Sequence, residues 1–324
     1  MPETLPPALA AERAAEQAAE RAVRRNSTVG LALALVGAVA FSGKAIIVKL
    51  AYRHGVDAVT LIMLRMLFAL PIFAAMAWWA SRGKAPLARR DGLGVLGLGV
   101  SGYYLASFLD FAGLAYISAS LERLILYLNP TLVLLLGWAV YGRGVRRGQA
   151  LGMAISYCGV VLVFGIEARQ GQGSGAAWGA ALVFLSALSY AIYLVYSGEL
   201  VQRLGAVRLV GLAPTVACGC CLLQFVLLRP LSAAWLVAPE VLWLSVLNAT
   251  LCTAAPVLMV MMAVERIGAS AAAQAGMVGP LSTLLMGAWL LDEPFTPWVV
   301  GGTGLVIAGI YVFGRSARPL GRAA

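Results

Sequence analysis

The sequence predicts an all-α integral membrane protein, with ten transmembrane helices arranged as two inverted five-helix repeats. Three observations carry that prediction. Of 324 residues, 61% are hydrophobic and only 12% charged, with a mean hydropathy of +0.87, whereas soluble domains are near half apolar and a quarter charged. The apolar residues gather into runs of about twenty, the length that crosses a bilayer as a helix. The pattern of the first half also returns in the second, at a near-constant offset of 150 residues.

The apolar runs fall near 29–51, 59–80, 92–114, 118–141, 148–166, 177–198, 207–228, 240–262, 269–291 and 296–314. Five of them make a first repeat over 29–166 and five a second over 177–314. Residues 1–28, including "AAERAAEQAAERAVRRN", are alanine-rich and charged and lack the short apolar core and cleavage site of a signal peptide. They read as a cytoplasmic tail, helical or disordered, and 315–324 read as a second one. Lysine and arginine set the orientation. Seventeen of the 24 lie in the tails and in one alternate set of connections, against Arg53, Arg123, Arg169 and Arg229 in the other set. Both termini are therefore expected on the cytoplasmic side of the membrane.

The repeat is clearest between "ISASLERLILYLNPTLVLLLGWAVYGRGVRRGQALGMAISYCGVVLVF" at 117–164 and "IGASAAAQAGMVGPLSTLLMGAWLLDEPFTPWVVGGTGLVIAGIYVF" at 267–313. Ala119 matches Ala269, Ser120 matches Ser270, Pro130 matches Pro280, and Gly137, Gly152 and Gly159 match Gly287, Gly302 and Gly309. An odd number of spans in each half inverts the second relative to the first. Inverted repeats let one half rock against the other around a midplane site, which gives alternating access.

At these residues the chain resembles the ten-helix EamA-type family of drug/metabolite transporters. The likeness lies in "VKLAY" after the first span, Arg65 in the second, "GLAYISAS" and the later Asn-Pro leading through the fourth, and "LLDEPFTPWVVGGTGLVIAGIYVF" at the end. It covers about 29–314, nearly everything beyond the tail. The resemblance implies export of small metabolites across a bacterial inner membrane, with amino acids, aromatic ones among them, as a common cargo. One position departs from the family: its acidic residue after the ninth helix is Glu293 here, but the first-half equivalent is Arg143.

Charged residues inside spans point to a site. At 1.5 Å per helical residue, Lys44 lies roughly 20 Å from the cytoplasmic edge of an approximately 30 Å hydrocarbon core. Arg65 falls at a similar depth, Asp110 near the far end of the third span, and Glu122 and Arg123 in the first turns of the fourth. Each such charge costs about 2.5–3.5 kcal/mol at a helix centre on insertion scales, so pairing or a wet cavity is expected. Three positive and two negative groups leave one positive charge over, and a substrate carboxylate at Lys44 is expected to fill that vacancy, with an α-amino group toward Asp110 or Glu122. Ser42, Tyr103, Tyr190, Tyr193, Asn248, Thr253 and Gln274 are the further expected substrate-binding residues. Arg65, Glu122, Arg123, Pro130 and Pro280 read as structural or gating, the prolines because they free a backbone carbonyl and can kink a helix. Lys49 reads as a lysine reaching for the interface.

The same residues exclude other classes. One histidine and five cysteines inside apolar runs offer no nucleophile–base pair or metal site, and "GLGVLGLGVSG" lies within a span rather than after a strand. No enzyme, cofactor or metal is expected. The net charge of +10 belongs to membrane orientation rather than nucleic acid. Partners are then a small-molecule substrate, membrane lipids, and a second copy if the glycine-rich last helix of each half forms a dimer seam instead of an internal scaffold. Rival cargos are phosphorylated sugars, nucleosides or drugs; a flippase-like lipid-handling protein is the alternative class.

Overall fold

The computed structural model describes residues 7–142, 145–167, 173–276 and 278–316, with side chains for all of these except 7–26, 141, 167, 173–174, 199, 261, 264–265, 268–275 and 316. Every regular element among them is helical. The order is α1 (Pro7–Tyr52), α2 (Ala58–Ser81), α3 (Arg89–Leu98), α4 (Ala106–Leu114), α5 (Ala119–Leu126), α6 (Asn129–Tyr141), α7 (Arg147–Glu167), α8 (Gly173–Leu204), α9 (Ala206–Leu228), α10 (Pro239–Ala249), α11 (Ala255–Gly276), α12 (Gly279–Leu290) and α13 (Pro297–Ser316). Nine stretches among the described residues are long and apolar enough to cross a membrane, from Ser27–Tyr52 to Pro297–Arg315. They match nine of the ten expected spans closely.

Two differences have local causes. The tail does not stand apart from the first span, because alanine, glutamate and arginine are strong helix formers and carry α1 back to Pro7. The same preference removes the loop expected at "ERIG": α11 continues through it to Gly276, one glycine being too weak a breaker among such neighbours. The expected ninth span, 269–291, is therefore divided between the end of α11 and the separate α12.

The repeat is visible in the backbone as well as in the residues. A π-helical turn at Gly99–Leu105 joins α3 to α4, and another at Thr250–Ala254 joins α10 to α11. The fourth span is broken between Leu126 and Asn129, and the second half is broken between Gly276 and Gly279. Each pair of irregularities lies about 150 residues apart. Pro130 and Pro280 sit in the first turn of the helix after each break, where the missing N–H has no intrahelical partner to lose. They start half-helices rather than kink continuous ones.

The two repeats are joined by glycine. A Cβ on Gly159 would stand 2.5 Å from the Gly302 carbonyl oxygen, and one on Gly152 would stand 2.6 Å from that of Gly309. α7 and α13 therefore pack backbone against backbone, the contact that small residues permit in a membrane. These glycines are occupied within one chain, as the scaffold alternative expected. At the Tyr52 end of the bundle, Asp57 caps α2, accepting from the amides of Val59 (3.0 Å) and Thr60 (3.3 Å), and ties that turn to Arg229 at the end of α9 (3.2 Å). Partial burial pushes its carboxyl up, but the Thr60 hydroxyl (2.6 Å) and amide and the Arg229 guanidinium outweigh this and hold it below the ordinary carboxylate range.

Gly159→Leu should destabilise the purified protein by about 1–3 kcal/mol through overpacking, read as a lower midpoint in a detergent melt. Gly301→Leu, on a face with nothing within 4 Å of the added Cβ, should leave the midpoint nearly unchanged. Asp57→Ala should cost roughly 1 kcal/mol of cap stability at neutral pH. Because the folded value lies below the unfolded one, that difference should be full above about pH 4 and fade as pH falls through the folded value. Melts of both forms across that range check it.

Candidate functional site

The charged residues of the first repeat converge. Lys44 projects from α1 beside Gly43, whose Cβ position is 3.1 Å from Cys252 Sγ on the second π-helical turn. Its ammonium donates to Asp110 Oδ2 on α4 at 2.6 Å, and Glu122 Oε1 on α5 lies 3.2 Å away without hydrogen-bonding geometry. Glu122 is wholly buried, and Lys44 and Asp110 are 6% and 2% exposed. Asp110 Oδ1 and both Glu122 oxygens are buried with no hydrogen-bond donor. Three of the five charges that the sequence placed at one depth, Lys44, Asp110 and Glu122, meet directly, and the pairing differs from the expected one. Lys44 carries two carboxylates already, so the unmatched positive charge does not reside on it.

It resides on the arginines. Arg123 donates from Nη2 to the Phe41 carbonyl (3.0 Å) and from Nε to Thr283 Oγ1 (3.2 Å). Arg65 donates from Nε to Thr253 Oγ1 (3.0 Å), whose hydroxyl donates in turn to the Asn248 carbonyl (2.8 Å) across the π-helical turn. Both guanidinium groups are buried on neutral acceptors and beside aromatic rings, with Arg65 Cζ 5.2 Å from the Phe111 centroid and Arg123 Cζ 5.4 Å from that of Phe41. Phe41 is 40% exposed and also stands 5.8 Å from Lys44 Nζ. One partly exposed ring thus stands beside both cations.

The breaks in the helices border this cluster. Ser42 Oγ is 3.0 Å from the Gly279 carbonyl and 2.9 Å from that of Ala38, and Tyr127 donates to the Gly276 carbonyl at 2.6 Å. The interruption of the fourth span therefore touches its counterpart in the second half. Asn248 Oδ1 is buried without a donor nearby. Tyr103, Tyr190 and Tyr193 do not join this group among the described contacts. They pack on one another between the first π-helical turn and α8, with ring centroids 5.2 and 5.4 Å apart. The Gln274 side chain and Arg143 lie outside the described residues. Phe41, Tyr127 and Thr283 were not singled out by sequence reasoning. Tyr127 alone left a signal, standing two residues before the Asn-Pro pair.

The Tyr52 end of the bundle is closed by a second set of contacts. Glu293, in the connection after α12, accepts from the Ala119 amide (2.7 Å), the Ser120 amide (3.3 Å) and the Ser120 hydroxyl (2.7 Å), capping α5 from the other repeat. Arg53 reaches the Leu291 carbonyl (2.8 Å), and Lys49 donates to the carbonyls of Leu114 (3.2 Å) and Ile117 (2.9 Å). α5 is buried from Ala119 to Ile125, whereas the first spanning turns of α1 and the far end of α6 are largely exposed. At that other end α1 packs closely on α11, where a Cβ on Gly30 would stand 2.6 Å from Ile267 Cγ2.

This architecture has known counterparts. The model of the EamA-like transporter family matches residues 28–165 and 177–315, one copy per repeat. The chain belongs to the EamA-like transporter family. It is 30% identical over 303 residues to the "Uncharacterized transporter YcbK" of Bacillus subtilis (strain 168), covering 88% of this chain and 94% of that one. It is 27% identical over 255 residues to an uncharacterized transporter of Archaeoglobus fulgidus, covering 78% and 87%. A solved crystal structure aligns with a TM-score of 0.59 at 17% identity over 93% of this chain and 99% of that one, which shows the shared fold. An EamA-type membrane transporter whose first repeat builds a charge cluster that its second repeat roofs is the result.

Lys44→Met should strand two buried carboxylates and destabilise the protein by about 3–5 kcal/mol. Adding Asp110→Asn or Glu122→Gln to it should recover part of that loss, because each removes a charge the lysine had balanced. A double-mutant cycle of detergent melts checks both statements.

Proposed function

We propose that this EamA-type transporter is a secondary exporter of small zwitterionic metabolites, amino acids with apolar or aromatic side chains foremost, working by alternating access in a bacterial inner membrane with both termini in the cytoplasm. The observation that carries the reading is the buried cluster itself. It offers carboxylates to an ammonium and, at the Phe41 ring that Lys44 also approaches, a guanidinium hydrogen-bonded to neutral acceptors. Arg123 is the better partner for the substrate carboxylate than Lys44, since a fork of donors can exchange a carbonyl and a hydroxyl for a carboxylate. Asp110 and Glu122 take the α-amino group, and Phe41 flanks the side chain. A phosphate would want a second free cation near the first; Arg65, turned to Thr253 and Phe111, supplies one only by leaving that nest.

The Tyr52 end, held by the contacts of Glu293, Arg53 and Lys49, is then the outer gate, and the opposite end admits substrate from the cytoplasm. Export requires the contacts of Glu293, Arg53 and Lys49 to open in turn.

Lipid handling has one observation in its favour. A lateral groove of about 340 Å³ lies among Tyr104, Cys220, Leu223, Gln224, Leu227 and Leu228. Its lining holds no charged residue to seat a headgroup, which leaves it second.

Counterflow of labelled phenylalanine, threonine and a sugar phosphate in proteoliposomes tests the proposal. Phenylalanine exchange should proceed in the wild type and fall at least tenfold in Arg123→Met but far less in Thr283→Val, which loosens the same clasp and keeps the charge, since a lost charged hydrogen bond is worth about 1.5–3 kcal/mol. Exchange of the sugar phosphate alone would reject the zwitterion assignment. Glu293→Gln should weaken the α5 cap by about 0.5–2 kcal/mol and raise the outward-open population by about two- to thirtyfold. Faster labelling of an Ala119→Cys variant by an impermeant thiol reagent checks it.

A further inference from the structure

Far from the buried cluster, where α2 ends and α9 begins, positive charge gathers without acids to answer it. Past Ser81 the chain turns through Gly83, at φ +69°, and carries Arg82 and Lys84 before α3 starts at Arg89. Arg208, in the first turn of α9, grips this turn from the other repeat. Its Nε donates to Ser81 Oγ (3.1 Å) and its Nη2 to the Ala85 carbonyl (3.1 Å). Although only 8% exposed, the guanidinium therefore rests on neutral acceptors. Asp91, at the start of α3, is engaged by Arg203 at 3.0 Å. Among the described residues, no carboxylate pairs with Arg82, Lys84 or Arg208. Lys84 leans over the junction of α8 and α9, where a Cβ on Gly205 would stand 3.9 Å from its Nζ. No side chain caps α9 there, so its dipole adds to the same positive field. The flank of this cluster is apolar. Trp78 and Trp79, in the last turns of α2, are exposed, and the Arg82 guanidinium stacks on Trp78 with Cζ 3.6 Å from the ring centroid. Exposed tryptophans at the end of a span mark the headgroup level of a bilayer. The three cations thus stand at the depth of lipid phosphates.

We propose that Arg82, Lys84 and Arg208 form a binding site for the headgroup phosphate of an anionic phospholipid, whose acyl chains lie along the exposed tryptophan face of α2. Basic pockets between spans at the membrane surface are suited to such headgroups. Charge complementarity selects the anionic class, because a zwitterionic lipid would bring its own ammonium into a field that is already positive. The tryptophan flank selects a lipid over a free anion, since inorganic phosphate gains nothing from an apolar wall. A phosphate held there bridges the turn after α2 in the first repeat to the start of α9 in the second. It adds to the clasp that Arg208 makes on Ser81 and Ala85. Close packing prepares this junction, as a Cβ on Gly211 of α9 would stand 2.5 Å from the Ala77 amide nitrogen of α2. On the orientation proposed above, the lipid comes from the cytoplasmic leaflet; the site itself depends on neither that orientation nor the cargo.

Melts of the purified full chain in neutral detergent, titrated with phosphatidylglycerol, phosphatidylcholine or inorganic phosphate, test the site. A ligand that binds the folded state alone raises the midpoint. Phosphatidylglycerol should raise that of the wild type saturably, and phosphatidylcholine should leave it nearly unchanged. The apparent affinity for phosphatidylglycerol should fall about fivefold in Lys84→Gln, the factor that one cation near an anionic surface contributes. It should be kept in Arg147→Gln, which removes an exposed cation at the start of α7. Arg208→Gln should weaken the lipid response further, and should that variant not fold, Lys84→Gln and Lys84→Glu carry the comparison. A wild type that does not respond to phosphatidylglycerol overturns the proposal. Equal losses in Lys84→Gln and Arg147→Gln overturn it as well, because the attraction would then be spread over the surface. An equal rise with inorganic phosphate at the same concentration would make this a free-anion site and reject the lipid. Amino-acid counterflow plays no part in these readings, so failure of the zwitterion assignment leaves them intact.

Discussion

Two carboxylates and an ammonium, buried where α1, α4 and α5 meet, set the terms on which this bundle assembles. Hydrocarbon offers them no water, so each must find its partner within the protein. Lys44 answers Asp110 with a 2.6 Å hydrogen bond and stands 3.2 Å from Glu122, which sets three helices against one another. Arg123 then has to bind a carbonyl of α1 and a hydroxyl of α12. The first repeat is thereby clasped to the second by the guanidinium that stands beside Phe41. Structure and chemistry are drawn from one set of charges, and an element that shifts to open the site must also re-partner them.

The inverted repeat supplies the means of shifting. Both halves interrupt the same two spans, with a π-helical turn and with a break, and the two breaks touch through Tyr127 and Gly276. Such interruptions free backbone groups and concentrate bending where neighbouring helices can re-satisfy them. By contrast, the α7–α13 seam is built from glycines in backbone contact and gives no room for movement. A rigid seam at one side and broken helices at the core are what a rocking mechanism needs.

Symmetry of backbone is not symmetry of chemistry. At the offset of 150, Lys44, Asp110, Glu122 and Arg123 correspond to Leu194, Val260, Ala272 and Ala273. The first half holds the charges, and the second contributes neutral hydrogen-bonding groups and the Glu293 cap. The departure from the family at Arg143 belongs to the same asymmetry.

The sequence by itself determined the class, the spans and the neighbourhood of the site. Hydrophobic run length is a direct consequence of bilayer thickness, and five spans per repeat force inversion, so neither needs tertiary contacts to be read. Depth follows from helical rise, which is why Lys44, Asp110, Glu122 and Arg123 could be placed on one level before any contact was known. Rotation about each helix axis is not written in that rise. Only packing decided that Lys44 faces both acids and that the surplus positive charge sits on the arginines. Packing also gathered Tyr103, Tyr190 and Tyr193 into a cluster of their own. Likewise a lone glycine at "ERIG" reads as a loop by its flanking charge, yet the helix continues, because helix propensity there meets no opposing contact. Partner choice among buried charges is a three-dimensional property, and it is the part that fixes what this site can bind.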